Sequence, residues 1–176
     1  MNKLSLSFIL AFIDQISKFY IRERLEEYDS IEIIAPGILN FTFVENRNIA
    51  FGLDLGFINQ LVVWISILIV IVIFYLVIIE IDDSHFGSYG MPFILGGAIG
   101  NIIDRLCVFL DFPGYSGVTD FIDMPNLLYY FGIMENSRWF IFNIADIAIS
   151  IGAVIFVLSN LTIFEKHEDS SESTLA

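Results

Sequence analysis

The chain has 176 residues, of which 56% are hydrophobic and 16% are charged. Ordinary soluble domains contain about 25% charged residues. The composition therefore excludes a small water-soluble globular domain and indicates one membrane domain. Eight Lys and Arg residues stand against 21 Asp and Glu residues, which gives a net charge of −13. This acidic balance argues against nucleic-acid binding and against attraction to anionic lipid head groups.

The cysteine and histidine content argues against disulfide and metal chemistry. Cys107 is the only cysteine, so an internal disulfide cannot form. The two histidines, His85 and His167, lie far apart in the sequence with no partner ligands nearby. We therefore expect no structural zinc site. Acid–base chemistry between two carboxylates, considered below, needs no metal or cofactor, so we expect neither.

Four stretches are long and apolar enough to cross a bilayer, whose core of about 30 Å needs roughly 20 residues of helix. We predict one integral membrane domain over residues 1–164, followed by a disordered acidic tail over residues 165–176. The predicted spans are residues 4–20, 61–81, 88–110 and 139–164.

The first span contains two charged residues, Asp14 and Lys18. They are four residues apart on one helical face, so they can pair and lower each other's cost in lipid. These charges, and the lack of an A-x-A-like site, favour an uncleaved transmembrane helix over a signal peptide. The simplest role for the pair is to stabilise the helix bundle.

The connections between the spans differ in character. Residues 22–60 contain a Pro36-Gly37 turn and an alternating segment at 41–44, which predict short strands. Residues 82–87 form a short turn, whereas residues 111–138 are long and rich in Pro and Gly. With four spans, the two long connections share one side of the membrane. That side carries more Lys and Arg than the side with the termini, so charge alone would invert the protein.

The third span ends in a polar cluster of Asn101, Asp104 and Arg105. Ionisable residues at membrane depth are costly and are by default functional. We expect Asp104 to pair with Arg105. Gly96 and Gly100 form a small-x-x-x-small pair that would let another helix approach closely.

Carboxylates follow in two further segments. Asp120 and Asp123 lie in VTDFID, and Asp146 lies three residues after Asn143 near the start of the fourth span. Two facing carboxylates can share a proton, so that one acts as base towards water while the other acts as acid. Asp120 and Asp146 are the favoured pair. We expect Asp123 and Asp111 to be solvated, with Asp123 close enough to remain a candidate.

Two other classes of protein fit the same carboxylates. Asp120 and Asp146 could form a proton or cation relay in a small ion or solute carrier, since intramembrane carboxylates mark such relays as well. The chain could also be a non-catalytic membrane scaffold, although an intact pair of aspartates argues against that role. A carrier would act without cleaving peptides.

Five motifs succeed one another along the chain. They are D-Q-x-x-K at 14–18, E-N-R-N-I-A-F-G at 45–52, G-G-A-I-G-N-I-I-D-R-L at 96–106, V-T-D-F-I-D at 118–123 and F-N-I-A-D at 142–146. In order and placement this set resembles the bacterial lipoprotein signal peptidase family, also called signal peptidase II, over about residues 10–155.

The resemblance implies an aspartyl endopeptidase of the bacterial inner (cytoplasmic) membrane. Its substrates would be prolipoproteins whose lipobox cysteine already carries diacylglycerol, cut just before that cysteine. The family fold is an all-α membrane protein of four transmembrane helices, with a small β-cradle between helices 1 and 2. Both long connections would lie on the extracytoplasmic side, and the protein would work as a monomer among membrane lipids.

The family's functional residues map onto this sequence. The resemblance makes Asp120 and Asp146 the catalytic residues. It assigns substrate-binding or supporting roles to Asn46, Asn101, Arg105, Asn143, Asp104, Asp14 and Lys18.

The chain also departs from the family pattern. Asn48 replaces a glycine of the usual N-x-G-x-A-F-G motif, and Asn is the next-best residue for a left-handed backbone. The stretches 106–119 and 124–138 are longer than usual. We expect them to loop out over the site without moving either aspartate.

Overall fold

The computed structural model describes residues 3–34, 37–47, 58–79, 90–125, 131–133 and 137–175. Within these ranges the chain forms long helices and one small sheet. The elements are α1 (Lys3–Arg24), β1 (Ser30–Ile34), β2 (Leu39–Asn46), α2 (Ile58–Ile79), α3 (Gly90–Phe109), β3 (Val118–Asp123) and α4 (Ile144–Leu175).

Helix α1 is polar on its buried face and apolar on its exposed face. Its buried residues include Ser7, Asp14 and Lys18, at helical spacing, whereas Phe12 and Phe19 are exposed. A water-soluble helix has the opposite arrangement. Within the described residues, α1 and α3 have the length and hydropathy of a membrane span, and shorter apolar stretches cover Val63–Ile79 and Ile144–Ser159.

The sheet has three antiparallel strands in the order β1-β2-β3. β1 and β2 form the hairpin predicted between the first two helices, with Gly37 in the turn at a φ of 63° that glycine adopts readily. β3 comes from the connection between α3 and α4, and it pairs Asp120 with Val44. The prediction of a cradle between helices 1 and 2 is therefore incomplete, because it lacks this third strand. β3 carries almost no alternation because it is buried on both faces.

Two helix boundaries also differ from the sequence prediction. α4 begins at Ile144 instead of residue 139, because Phe142 still bridges to Ile122 of the sheet. The helix then continues to Leu175, through residues for which we predict disorder. The sequence after Gly152 contains no Gly or Pro that would end it.

The sheet is attached to one end of the helix bundle. Ile21 and Leu25, at the end of α1, pack against Phe43 and Phe121 in a small apolar core. Phe41 meets Phe121 edge to face, with 5.3 Å between the ring centroids. The end of α1, the end of α3 and the start of α4 therefore meet at the sheet, where the polar motifs converge.

Helix α3 packs against α1 and α4 through glycines, as the small-x-x-x-small pair predicts. A Cβ at Gly96 would lie 2.7 Å from the backbone oxygen of Ser7. At Gly100 it would lie 2.5 Å from Asp14 Oδ2 and 3.2 Å from Ala145 Cβ. The contacts below 3.0 Å are closer than a real Cβ makes, and the one at 3.2 Å is tighter than most. Helix α3 therefore sits this close to both neighbours because the two positions lack a side chain.

We expect Gly96→Ala to destabilise the protein despite the better helix propensity of Ala. The added methyl group meets backbone of α1, which cannot move as a flexible side chain would. Overpacking costs about 1–3 kcal/mol, against a propensity gain of up to about 1 kcal/mol. Thermal unfolding in detergent would measure the loss. Ser5→Ala is the control, since Ser5 is an exposed position of the same helix α1, and an equal loss in both variants would contradict the packing role.

Candidate active site

Asp120 and Asp146 converge at the end of the helix bundle. Asp120 lies on β3 and is 4% exposed, whereas Asp146 is half-buried in the first turn of α4. Asn143 contacts both residues. Its Nδ2 donates to Asp120 Oδ1 at 2.7 Å, and its Oδ1 accepts a hydrogen bond from the backbone N–H of Asp146 at 3.0 Å. The structure thus brings together the two aspartates that the sequence favours.

Asn143 and Asp146 also form the N-terminal cap of α4. The Asp146 N–H bonds the Asn143 side chain, and Asp146 Oδ2 accepts from the Asn143 N–H at 3.1 Å. This reciprocal pattern is a capping box, which satisfies backbone donors that the helix leaves free. One carboxylate oxygen of Asp146 is therefore used by the fold, which fixes the direction of the other.

The remaining carboxylate oxygen of each aspartate accepts a hydrogen bond from the side-chain amide of an asparagine. Asn46 Nδ2 donates to Asp120 Oδ2 at 3.0 Å, and Asn101 Nδ2 donates to Asp146 Oδ1 at 2.9 Å. Asn101 Oδ1 in turn accepts from Asn143 Nδ2 at 3.0 Å. The three asparagines thus orient both carboxylates without adding charge to the site.

The pKa of Asp120 is raised from 3.8 to about 7. Burial is the largest cause, because desolvation disfavours the carboxylate, and the negative charge of Asp146 acts in the same direction. Hydrogen bonds from Asn46 and Asn143, together with the charge of Lys18, lower this pKa in part. Asp120 therefore tends to keep a proton near neutral pH, beside a second carboxylate that can accept one.

The predicted pair of Asp14 and Lys18 lies directly beneath the site. Lys18 Nζ is 2.8 Å from Asp14 Oδ2 and 3.3 Å from Asp104 Oδ2, and it donates to Asn101 Oδ1 at 3.0 Å. All three charged side chains are fully buried. The pair thus does more than hold the bundle together, because Lys18 reaches the asparagine that orients Asp146.

Asp14 also anchors the start of α4. Its Oδ1 accepts from the backbone N–H of Ala145 at 2.9 Å, which is one of the first-turn donors without a partner inside the helix. A carboxylate here is also stabilised by the positive end of the helix dipole.

The expected pair of Asp104 with Arg105 is wrong. Adjacent residues of a helix point in different directions, and Asp104 instead pairs with Lys18 and, at 3.5 Å, with Arg22. It also accepts from the Thr119 N–H at 3.0 Å. Arg105 Nη1 donates to Ser66 Oγ of α2 at 3.3 Å. The Arg105 guanidinium also interacts electrostatically with both aspartates of the site.

Asp123 has a structural role that differs from the expected solvated one. It is buried, and its Oδ1 accepts from Arg138 Nε at 2.7 Å. Its Oδ2 accepts from Thr42 Oγ1 at 3.0 Å, and Arg138 also donates to the Gly37 oxygen. Asp123 therefore holds the hairpin turn against β3 and the segment before α4. Asp111 is exposed, as predicted.

Other contributors to the network are absent from the predicted site. Gln15 donates to the Gly100 oxygen at 2.9 Å and to Asp104 Oδ1 at 3.2 Å, and Ser66 meets Arg105. Gln15 stands beside Asp14 in the first motif, so its position gave a signal, whereas nothing in the α2 sequence marks Ser66. Asn48, which stands where the family usually has glycine, lies outside the described residues.

The comparisons with known proteins agree on one family. The family model of signal peptidase (SPase) II, Peptidase_A8, matches residues 6–162. A lipoprotein signal peptidase from Maridesulfovibrio salexigens is 34% identical over 167 residues, which cover 90% of this chain and 97% of the relative. One from Thermodesulfovibrio yellowstonii is 38% identical, over 88% of this chain and 90% of the relative.

Solved structures are similar as well. One, described as a bacterial membrane enzyme at 2.3 Å resolution, has a TM-score of 0.70 and 29% identity, and the match covers 91% of this chain and 87% of that one. A second, at 1.9 Å, has a TM-score of 0.69 and 30% identity, over 90% and 92% of the two chains. With the motifs, the family match and the fold in agreement, this chain belongs to the signal peptidase II family of lipoprotein signal peptidases.

Proposed function

We propose that the protein is an aspartic endopeptidase that removes the signal peptide from prolipoproteins. The observation that carries the proposal is the pair of carboxylates, Asp120 and Asp146, joined through Asn143 at the end of the bundle. The family match supports the peptidase activity. None of the relatives named above is described as a carrier, so the alternative of an ion or solute carrier is left without support.

In the proposed mechanism the pair shares one proton. Asp146, as carboxylate, takes a proton from a water molecule whose oxygen attacks the scissile carbonyl. Asp120, as carboxylic acid, donates its proton to the carbonyl oxygen, which gives a neutral tetrahedral intermediate. The C–N bond then breaks as the nitrogen takes up a proton and the C=O bond re-forms. Asp146 gives that proton to the nitrogen, and Asp120 takes one back from a hydroxyl group of the intermediate, so the pair again holds one proton.

The proposed substrate is a prolipoprotein whose cysteine carries diacylglycerol, cut just before that cysteine. We propose that the enzyme is a multi-pass monomer of the bacterial inner membrane, with α2 and α4 spanning it alongside α1 and α3. The exposed apolar faces of Phe12, Phe19, Trp64 and Leu68 support contact with membrane lipids. The site would lie near the extracytoplasmic face, where both long connections meet at the sheet.

We expect Asp120→Asn and Asp146→Asn each to abolish cleavage. An amide keeps the shape of the carboxyl group but can neither share the proton nor activate water. The measurement is cleavage of a purified diacylated prolipoprotein in detergent or lipid vesicles. Asp111→Asn is the control, since Asp111 is exposed and lies outside the pair, and full activity in either site variant would overturn the assignment.

The same two variants should differ in stability. In Asp146→Asn the new NH₂ group must face either the backbone N–H of Asn143 or Asn101 Nδ2. The Asn101 amide cannot turn, because its Oδ1 accepts from Lys18 and Asn143. Two donors then face each other, so we expect the free energy of unfolding to fall by about 1–2 kcal/mol. In Asp120→Asn no helix cap is lost, because Asp120 lies on β3. Thermal unfolding of both variants tests this difference, and equal melting temperatures would contradict the capping role of Asp146.

The rate of cleavage should fall as the pH rises through about 7. The active pair needs one proton, and Asp120, whose pKa is raised to about 7, loses that proton above this pH. The hydrogen bond from Asn46 stabilises the carboxylate, so Asn46→Ala should move the alkaline limb of kcat/KM to higher pH. A profile with no loss of activity up to pH 9 would show that Asp120 does not carry the proton.

Arg105 should position the substrate. Its planar guanidinium can bond peptide carbonyls or the lipid ester, which a lysine cannot match. We expect Arg105→Lys to lower cleavage about tenfold to a thousandfold, from the loss of one or two charge-assisted hydrogen bonds. Ser66→Ala is the control, because it removes the contact with α2 but keeps the guanidinium. A fully active Arg105→Lys would assign Arg105 to helix packing alone.

A further inference from the structure

The end of β2 is held by a group of polar side chains that the proposed mechanism does not use. The Ser116 N–H donates to Glu45 Oε1 at 3.3 Å, and its hydroxyl donates to Glu45 Oε2. Arg47 Nε donates to Ser116 Oγ at 3.0 Å, and Arg47 Nη2 donates to Glu27 Oε2 at 3.1 Å. We call Glu27, Glu45, Arg47 and Ser116 the Ser116 clamp.

The clamp and the active site lie on opposite faces of β2. Side chains alternate along a strand, so Glu45 points away from the face that carries Val44 and Asn46. Glu45 and Phe43 line the same cavity as Ser116, whereas Asn46 donates to Asp120. Ser116 therefore contacts Glu45 and Arg47, the residues on either side of Asn46, on the face of β2 opposite the active site.

The loop before β3 also presses on the backbone of Asn46. Asn46 pairs with Val118 in the antiparallel ladder. A Cβ at Gly117 would lie 2.7 Å from both the carbonyl carbon and the carbonyl oxygen of Asn46. The loop that carries Ser116 is thus seated directly on the peptide group whose side chain reaches the active site. Part of the longer 106–119 stretch therefore supports the site from behind instead of covering it.

We infer that the Ser116 clamp positions Asn46 against Asp120 and thereby sets when the catalytic pair holds its proton. Ser116, Glu45 and Arg47 are positioning residues, since they act through Asn46 and contact neither aspartate in the described structure. The inference rests on the proposed function. It adds Ser116, which lies outside the five motifs, to the residues that support the site.

The direction of the effect follows from the contacts of Asp120. The hydrogen bond from Asn46 lowers the pKa of Asp120, so a looser Asn46 raises it. The charged groups that act on Asp120 in the described structure are Asp146 from α4, Lys18 from α1 and Arg105 from α3. The clamp residues are not among them, so Ser116→Ala changes no charge at the site.

The test is the pH profile of kcat/KM for cleavage of a diacylated prolipoprotein by Ser116→Ala. We expect the alkaline limb to move to higher pH by about half a pH unit, and kcat/KM to fall about threefold to tenfold, for partial loss of one charge-assisted hydrogen bond. Ser116→Thr keeps the hydroxyl and should restore the limb. In the Asn46→Ala background, Ser116→Ala should cause no further shift, since the link is already broken.

Ser30→Ala is the matched control. It removes a serine hydroxyl that bonds Thr42 across the sheet, away from Asn46, and should leave the limb in place. If Ser116→Ala fails to fold, Arg47→Gln replaces it, because Arg47 is 59% exposed, with the exposed Arg24→Gln as its charge control. The inference is overturned if the alkaline limb of kcat/KM does not move in the clamp variant. It is also overturned if Ser116→Ala shifts the limb equally in the Asn46→Ala background. If the unmodified protein does not cleave the diacylated prolipoprotein, the proposed function is overturned instead.

Discussion

The buried ammonium group of Lys18 is the interaction on which the rest of the site depends. It is surrounded by Asp14 at 2.8 Å, Asn101 at 3.0 Å and Asp104 at 3.3 Å. Removing one partner of a buried ion pair typically costs about 3–5 kcal/mol, because the other charge is left uncompensated. Since Lys18 belongs to α1 and two of its partners belong to α3, this cost fixes how the two helices face each other. Gly100 lets Asp14 fit between them.

The partners of Lys18 carry that constraint to both aspartates. Asp14 accepts from the first turn of α4 at Ala145, and Asp104 accepts from β3 at Thr119, the residue before Asp120. Asn101 bonds Asp146 itself. The ionic centre of the bundle thus sets the position of one strand and one helix start, which approach from different parts of the chain. The two aspartates are thus supported by buried charges that cannot exchange their partners for water.

The two aspartates meet different physical demands. Asp146 caps α4, so its carboxylate contributes to stability in addition to its proposed role in the chemistry. Asp120 is buried with its pKa raised to about 7. The free energy of unfolding therefore falls as the pH rises from about 4 to about 7, where the unfolded chain loses this proton and the folded chain keeps it. Keeping a proton on Asp120 near neutral pH therefore lowers the free energy of unfolding. The amides of Asn46 and Asn143 reduce this cost but do not remove it.

The favoured pair of Asp120 and Asp146 comes from their positions beside apolar sequence at a helix margin and from the family resemblance. The sequence by itself also determined the membrane class, the apolar helices α1 and α3, and the pairing of Asp14 with Lys18. These follow from composition and from helical spacing, which act over a few residues. The glycines at 96 and 100 were readable for the same reason, since both lie on one face of a single helix.

Only the tertiary structure decided the rest, because it depends on contacts between residues distant in sequence. β3 has no strand signature, since it is buried on both faces, and its pairing with β2 decides that Asn46 meets Asp120. Asp104 lies beside Arg105 in sequence, yet the helix turns it towards Lys18. The sequence around Asp123 predicts a solvated carboxylate, whereas the fold pairs it with Arg138, fifteen residues away. A charge reveals its cost from the sequence, but its partner is chosen by the packing of the elements that bury it.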